Sequence, residues 1–381
     1  MISLQSKLPN AAINIFTIMS QLSLEYNSIN LSQGFPDFEC PSELIDLANK
    51  HMRSGHNQYA PMAGLITLRE RIANKVNSLH LSNYDPDTEI TITAGGTQAI
   101  FTALTAVINS NDEVIIFEPA YDSYAPAVKL LGGIVKSFEL TVPDYTINWE
   151  LLKKLINNKT RLIILNSPQN PTGTILTEFD IEQLTRLVQD TNILILSDEV
   201  YEHIIFDGNI HHSMARYPIL RERSFVIASF GKLFHNTGWK IGYCIAPSWL
   251  TKEFRKIHQF LIFSVNTPFQ YALADFLSND HFYLNLKTFY QQKRDYFRAL
   301  MLGTRFNLLP CSGSYFQCVQ YKEITNESDI KFAKRLITDF GVAAIPVSAF
   351  YNGGKDEHVL RFCFAKKQET LEKAVERLMK I

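Results

Sequence analysis

Short apolar runs recur through the first two-thirds of the chain, and each hands over to turn residues or helical spacing. "EITIT" (89–93) leads into "GGTQAIFTALTAVI", and "EVIIF" (113–117) into "EPAYDSYAPAVKLL". "RLIIL" (161–165) leads into "NSPQNPTGTI" and a helix around 178–190, "ILILS" (193–197) into "DEVYEHI", and "SFVIA" (224–228) into "SFGKLFHNTGWKIGY". The runs are continuous rather than alternating, which is how strands covered on both faces of a parallel sheet read. Repeated strand-then-helix order predicts a doubly wound, mostly parallel α/β sheet. From about residue 280 the rhythm changes. "FYQQKRDYFRALM" and "ESDIKFAKRLITDF" have amphipathic helical spacing, whereas "SYFQCVQY" and "HVLRFCFA" alternate like half-buried strands. The expected organisation is a large domain over 41–279 and a smaller α+β domain over 280–381, joined by the N-terminal segment 1–40.

In open α/β sheets, ligands gather outside the carboxyl ends of the strands. There the sequence puts Gly95, Gly96 and Thr97, then Tyr121, Asn170, Asp198 with Tyr201, and Ser229 with Lys232. Lys232 lies among apolar neighbours, and desolvation pushes a lysine toward its free-amine form. Asp198 directly follows a buried strand, as either a helix N-cap or a working carboxylate. A lysine amine, a buried carboxylate and an anion cradle together suggest pyridoxal phosphate. The amine would bond to the aldehyde, and the carboxylate would keep the pyridine nitrogen protonated. The glycine turn and the helix after it would receive the phosphate, with Ser229 adding a hydroxyl and Lys240 a charge.

Composition narrows the alternatives. A net charge of −1 over 381 residues gives no reason to expect a nucleic-acid partner. No apolar run approaches the roughly 18 residues that span a bilayer, and polar residues with Pro9 interrupt the opening stretch, so neither membrane insertion nor a secretory signal is expected. The five cysteines are odd in number and lack metal-type spacing; they read as free thiols in a cytoplasmic protein. His203, His211 and His212 read as residues of a surface loop without a metal, and "RKIHQ" (255–259) as a solvated helix face.

Four ordered motifs give the chain a family likeness: "NSPQNPTG", "SDEVYEHI", "SFGKLFHNTGWKIGY" and "RFCFAK". It resembles the class I aminotransferases of pyridoxal-phosphate fold type I over nearly its whole length. "INLSQGFPDF", "NQYAPMAGL", "EPAYDSYAPAV" and "VAAIPVSAF" resemble the methionine and kynurenine (glutamine transaminase K) branch. The resemblance implies Lys232 as the Schiff-base lysine and proton shuttle, Asp198 as partner of the pyridine nitrogen, and Asn170 and Tyr201 as partners of the ring's phenolic oxygen. It implies Tyr121 stacked on the ring, and Gly95, Gly96, Thr97, Ser229 and Lys240 around the phosphate. Lys240 stands where many relatives carry arginine, so it would act as a point charge. Tyr59 would reach the phosphate from the second subunit of a homodimer. Arg361, Asn170 and the Gly34 backbone would hold the substrate carboxylate, with Phe16, and Phe350 near it, beside the side chain.

The implied reaction is ping-pong transfer of an amino group from an amino acid to a 2-oxo acid. No second cation marks a pocket for an acidic side chain, and Thr97 replaces a tyrosine common in kynurenine-active relatives. Methionine is therefore the expected donor, with kynurenine or glutamine transamination and cysteine-S-conjugate β-elimination as alternatives. The motifs begin by residue 31, so an added N-terminal DNA-binding segment, and with it a regulator built on this fold, is not expected.

Overall fold

All five apolar runs become strands of one sheet; four of them are neighbours, and the first is separated from these by one of two further strands. The computed structural model describes residues 5–9 and 14–381; the opening stretch read above for a signal lies partly outside them. The strands are β1 (Ile90–Thr93), β2 (Glu113–Glu118), β3 (Ile134–Glu139), β4 (Thr160–Asn166), β5 (Leu194–Asp198), β6 (Ser224–Ser229) and β7 (Gly242–Ile245). They lie in the order β1-β7-β6-β5-β4-β2-β3. β3, β2, β4, β5 and β6 pair in parallel, while β7 runs antiparallel between β6 and β1. The sheet is thus mostly parallel, as expected, with one reversed strand inside it.

Burial explains which strands the pattern revealed. Leu194, Ile195 and Leu196 of β5 are at most 3% exposed, and each such side chain stabilises the fold by about 1.5–3 kcal/mol. Edge strand β3, "IVKSFE", is exposed or half-buried along its whole length. It therefore carries polar residues and does not read as an apolar run.

Helices cover both faces of the sheet. Gly95–Val107 lays Ala99, Ile100, Ala103 and Leu104 against the sheet, in a core shared with Leu250 and Phe254 of helix Ser248–Leu261. No helix starts directly after β5: residues 200–203 form turns, so Asp198 is not a helix N-cap.

A second, four-stranded antiparallel sheet sets Val359–Cys363 between Ile345–Pro346 and Phe316–Gln320, with Asn307–Leu308 at the edge. Arg361 lies level with Ile345 on one side and Cys318 on the other. Ile29–Asn30 pairs in parallel with Val342–Ala343, and the Leu31 carbonyl accepts the Cys363 N–H at 2.8 Å. Helix Ile15–Glu25 is capped by Asn14, whose side chain accepts the Phe16 N–H at 2.7 Å. Among the described residues no helix is long and apolar enough to cross a membrane. All five cysteines are free, and four are buried.

Candidate active site

The register that aligns the parallel strands also aligns their ends. Asn166 sits level with Asp198, and Asp198 with Ile227, two residues before Ser229. These ends open onto a cavity of about 740 Å³, counting its mouth. Gly95, Gly96, Thr97 and Tyr121 line one side of it; Asn170, Asp198, Tyr201, Ser229, Lys232 and Lys240 line the rest. Sequence reasoning missed Asn166, which lines the same wall. Its amide donates to the Asp198 carbonyl at 2.8 Å and accepts the Asn170 N–H at 2.8 Å.

The charges here lack the partners that buried charges ordinarily have. Asp198 is 4% exposed, and burial pushes its carboxyl up to about 6, against the hydrogen bond from Tyr124 and the Val200 N–H. Tyr124 Oη donates to Asp198 Oδ2 at 2.6 Å; a tyrosine three residues after Tyr121 gave no sign of this in the sequence. Burial also pulls the Lys232 ammonium down to about 8, helped by Arg361 and Lys240 and opposed by Cys363 and Asp198. Lys232 Nζ donates to neutral acceptors, Tyr315 Oη at 2.8 Å and the Gly34 carbonyl at 3.0 Å. Burial raises Tyr121 and Tyr201 above the ordinary phenol value, so both remain protonated. Thr97 Oγ1 lies 3.3 Å from Tyr121 Oη.

The anion cradle is built from backbone. Gly95 has φ +79°, and a Cβ there would sit 3.3 Å from both Cε and Nζ of Lys240. Glycine is thus required both for its conformation and for the lysine laid over it. Lys240 is itself left-handed, at φ 55°. Helix Gly95–Val107 has no side-chain cap at its start, so its first N–H groups remain available to an anion.

Arg361 is 1% exposed. Its Nη1 donates to Asn170 Oδ1 at 2.6 Å and its Nη2 to the Ser32 carbonyl at 2.8 Å, while its buried Nε has no partner. The guanidinium carbon lies 3.9 Å from the Phe316 ring centre and 5.2 Å from those of Phe16 and Phe350. Phe16 and Phe350 meet edge to face at 5.7 Å. Gly34 contributes through its carbonyl to Lys232. Tyr59 does not line this cavity; it is 82% exposed, edge-on to Phe263 at 5.3 Å.

Two readings need correction. His211 and His203 are not solvated loop residues. His211 Nε2 lies 2.7 Å from Glu199 Oε2, and both side chains are buried. Glu199 also accepts from Ser197 Oγ at 2.8 Å and the Met214 N–H at 3.0 Å. Lys75 pairs with Glu202 at 2.5 Å, and His203 and His80 flank that carboxylate. Residues 207–210 between His203 and His211 are exposed, but those two side chains turn inward, where the carboxylates of Glu202 and Glu199 need charge partners. Likewise His258 is fully buried beside Gln98 rather than on a solvated face. Among the described residues no group of three or more ligating side chains could hold a metal.

The residues present fit pyridoxal phosphate. An uncapped helix start under Lys240 suits a phosphate, a buried carboxyl suits a ring nitrogen, and a half-buried amine with only neutral acceptors suits an aldehyde. A mostly parallel, doubly wound sheet with this chemistry at its carboxyl edge defines the class as pyridoxal-phosphate-dependent transferases of fold type I. Over residues 26–378 the sequence matches aminotransferase class I and II, and the chain belongs to that family; it is a pyridoxal-phosphate-dependent aminotransferase. It is 47% identical over 378 residues to the methionine aminotransferase of Escherichia coli (strain K12), covering 99% of this chain and 98% of that one. A crystal structure from Escherichia coli, described as having a methionine aminotransferase function, superposes with a TM-score of 0.98 at 46% identity, covering all of both chains. The kynurenine–oxoglutarate transaminase of Dictyostelium discoideum is 33% identical over 408 residues, covering 97% of this chain and 94% of that one.

Proposed function

We propose that this chain carries pyridoxal phosphate on Lys232 and transfers the amino group of a large neutral L-amino acid, methionine foremost, to a 2-oxo acid. The observation that carries the reading is that Lys232 and Asp198 face one cavity together with the uncapped helix start at Gly95–Thr97. Bound there, the cofactor supplies an aldehyde for the amino group and a cationic ring that draws electrons from the substrate Cα. Asp198, raised by burial to about 6, would hold the proton of the ring nitrogen as a carboxylate above that pH. Asn170 and Tyr201 would donate to the phenolic oxygen, and Tyr121, on the same cavity wall, would pack against the ring. Gly95, Gly96, Thr97, Ser229 and Lys240 would hold the phosphate.

Arg361 offers its partnerless Nε and the adjoining Nη to the substrate carboxylate, and its bond to Asn170 sets the orientation of that pair. Phe16, Phe316 and Phe350 exclude water around the guanidinium and offer an apolar wall to a thioether side chain. Lys232 Nζ, with a proton affinity lowered to about 8, carries the proton that leaves the substrate Cα. Such positioned acid–base work is worth about 10²–10⁴-fold.

We also propose a homodimer in which Tyr59 completes the partner's phosphate site; its exposure, with that of Phe260 and Phe263, supports this. The division into residues 41–279 and a unit of 1–40 with 280–381 is supported by the Ile29–Asn30 ladder to Val342–Ala343. Five free cysteines suit a cytoplasmic location. The test is a panel of amino acids assayed with several 2-oxo acids, run beside Lys232→Ala. Methionine should give the highest kcat/KM and the variant should lose turnover; normal turnover in the variant would refute the assignment.

A further inference from the structure

Three separate parts of the chain converge on the Lys232 amine. Lys232 comes from the short helix Phe230–Leu233 directly after β6. Tyr315 comes from the residue before strand Phe316–Gln320, and Gly34 from the segment that follows Asn30. Tyr315 is fully buried, with Tyr201 edge-on at 5.0 Å and Tyr290 at 5.9 Å, so its ring has one available position. Its hydroxyl donates to the Gly34 carbonyl. A phenol has one hydrogen to give, so its lone pair is what receives the proton of Lys232 Nζ. Gly34 lies close against Phe316: a Cβ on it would meet Phe316 Cζ at 2.8 Å, so no larger residue fits at this position without a shift.

The other ionisable groups around Nζ are Asp198, Arg361, Lys240, Cys363 and Tyr201. Among the described residues, no carboxylate lies within ion-pair distance of Nζ. The amine is therefore fixed in direction by two neutral oxygens, and no ion pair locks its proton in place.

Resting on the function proposed above, we propose that Tyr315 is a positioning residue of the reaction. With the Gly34 carbonyl it forms the docking point that receives the Lys232 amine whenever that amine is not bonded to the cofactor. The station keeps the amine at the edge of the cavity instead of leaving a four-carbon stem to sample rotamers.

Tyr315→Phe keeps the ring and removes the acceptor. In cofactor-free protein, acetylation of Lys232 by acetic anhydride is followed across pH and read by peptide mass spectrometry. Losing an acceptor destabilises the ammonium, so the midpoint should fall by about one pH unit. In loaded enzyme kcat should drop about tenfold or more while KM stays within about threefold. An unchanged midpoint and unchanged kcat would overturn the docking role and leave the aminotransferase reading intact, whereas normal turnover in Lys232→Ala would sink that reading itself. A crystal structure of the wild-type protein loaded with pyridoxamine phosphate serves equally if the variant does not fold. Lys232 Nζ hydrogen-bonded to Tyr315 Oη supports the station; Nζ directed elsewhere overturns it.

Discussion

Asp198 and Glu199 are neighbours at the end of one strand, and their surroundings are opposite. Asp198 faces the cavity with a tyrosine hydroxyl as its side-chain partner, and burial raises its carboxyl to about 6. Glu199 faces the core below. There burial also works against its charge, but His211 and Ser213 outweigh it and hold the carboxyl below the ordinary value. One residue separates a charge left without a counter-ion from one that is fully paired. The same contrast divides Lys232, which has neutral acceptors, from Lys75, which is locked to Glu202. Charges that brace the fold are paired, and those that face the cavity are kept in reserve for what binds there.

Breaking the braced side should cost stability. Glu202→Ala leaves Lys75 buried with only the Tyr243 hydroxyl beside it, and denaturant unfolding should read a loss of about 3–5 kcal/mol. Arg361→Ala acts on the other side. It should lower kcat/KM by about 10²–10³-fold, chiefly through KM, as measured by steady-state kinetics on methionine.

Asp198→Asn sharpens the contrast through its sign. The folded protein binds the Asp198 proton more tightly than the unfolded chain, whose aspartates titrate near about 3.9. This residue's contribution therefore reduces stability as pH rises from about 4 to 6. Removing the charge should make cofactor-free protein about 3 kcal/mol more stable above pH 6, and no more stable below pH 4. Unfolding curves at pH 4 and pH 8 check this. Glu199 has the opposite slope: its stabilisation is present above the unfolded carboxylate value and is lost on acidification.

Much of this site could be read from the chain because buried parallel strands advertise themselves, and their carboxyl ends follow by counting. Lys232, Asp198, Asn170 and Gly95–Thr97 came together because each stands just past an apolar run. Edge strand β3 escaped because half of it faces water, and β7 because its four residues, Gly242–Ile245, carry too little pattern to stand out. Tyr315 and Tyr124 look like core aromatics in sequence; only the fold brings their hydroxyls to Lys232 and Asp198. His211 read as a loop residue because nothing local reveals that Glu199 lies within reach.

The central claim is that the reserved amine at position 232 is where the cofactor attaches. The direct measurement is borohydride reduction of enzyme loaded with pyridoxal phosphate, followed by digestion and mass spectrometry. The account predicts one pyridoxyl group per chain, on the peptide containing Lys232. A label on Lys240 or on a surface lysine, with Lys232 unmodified, would contradict it.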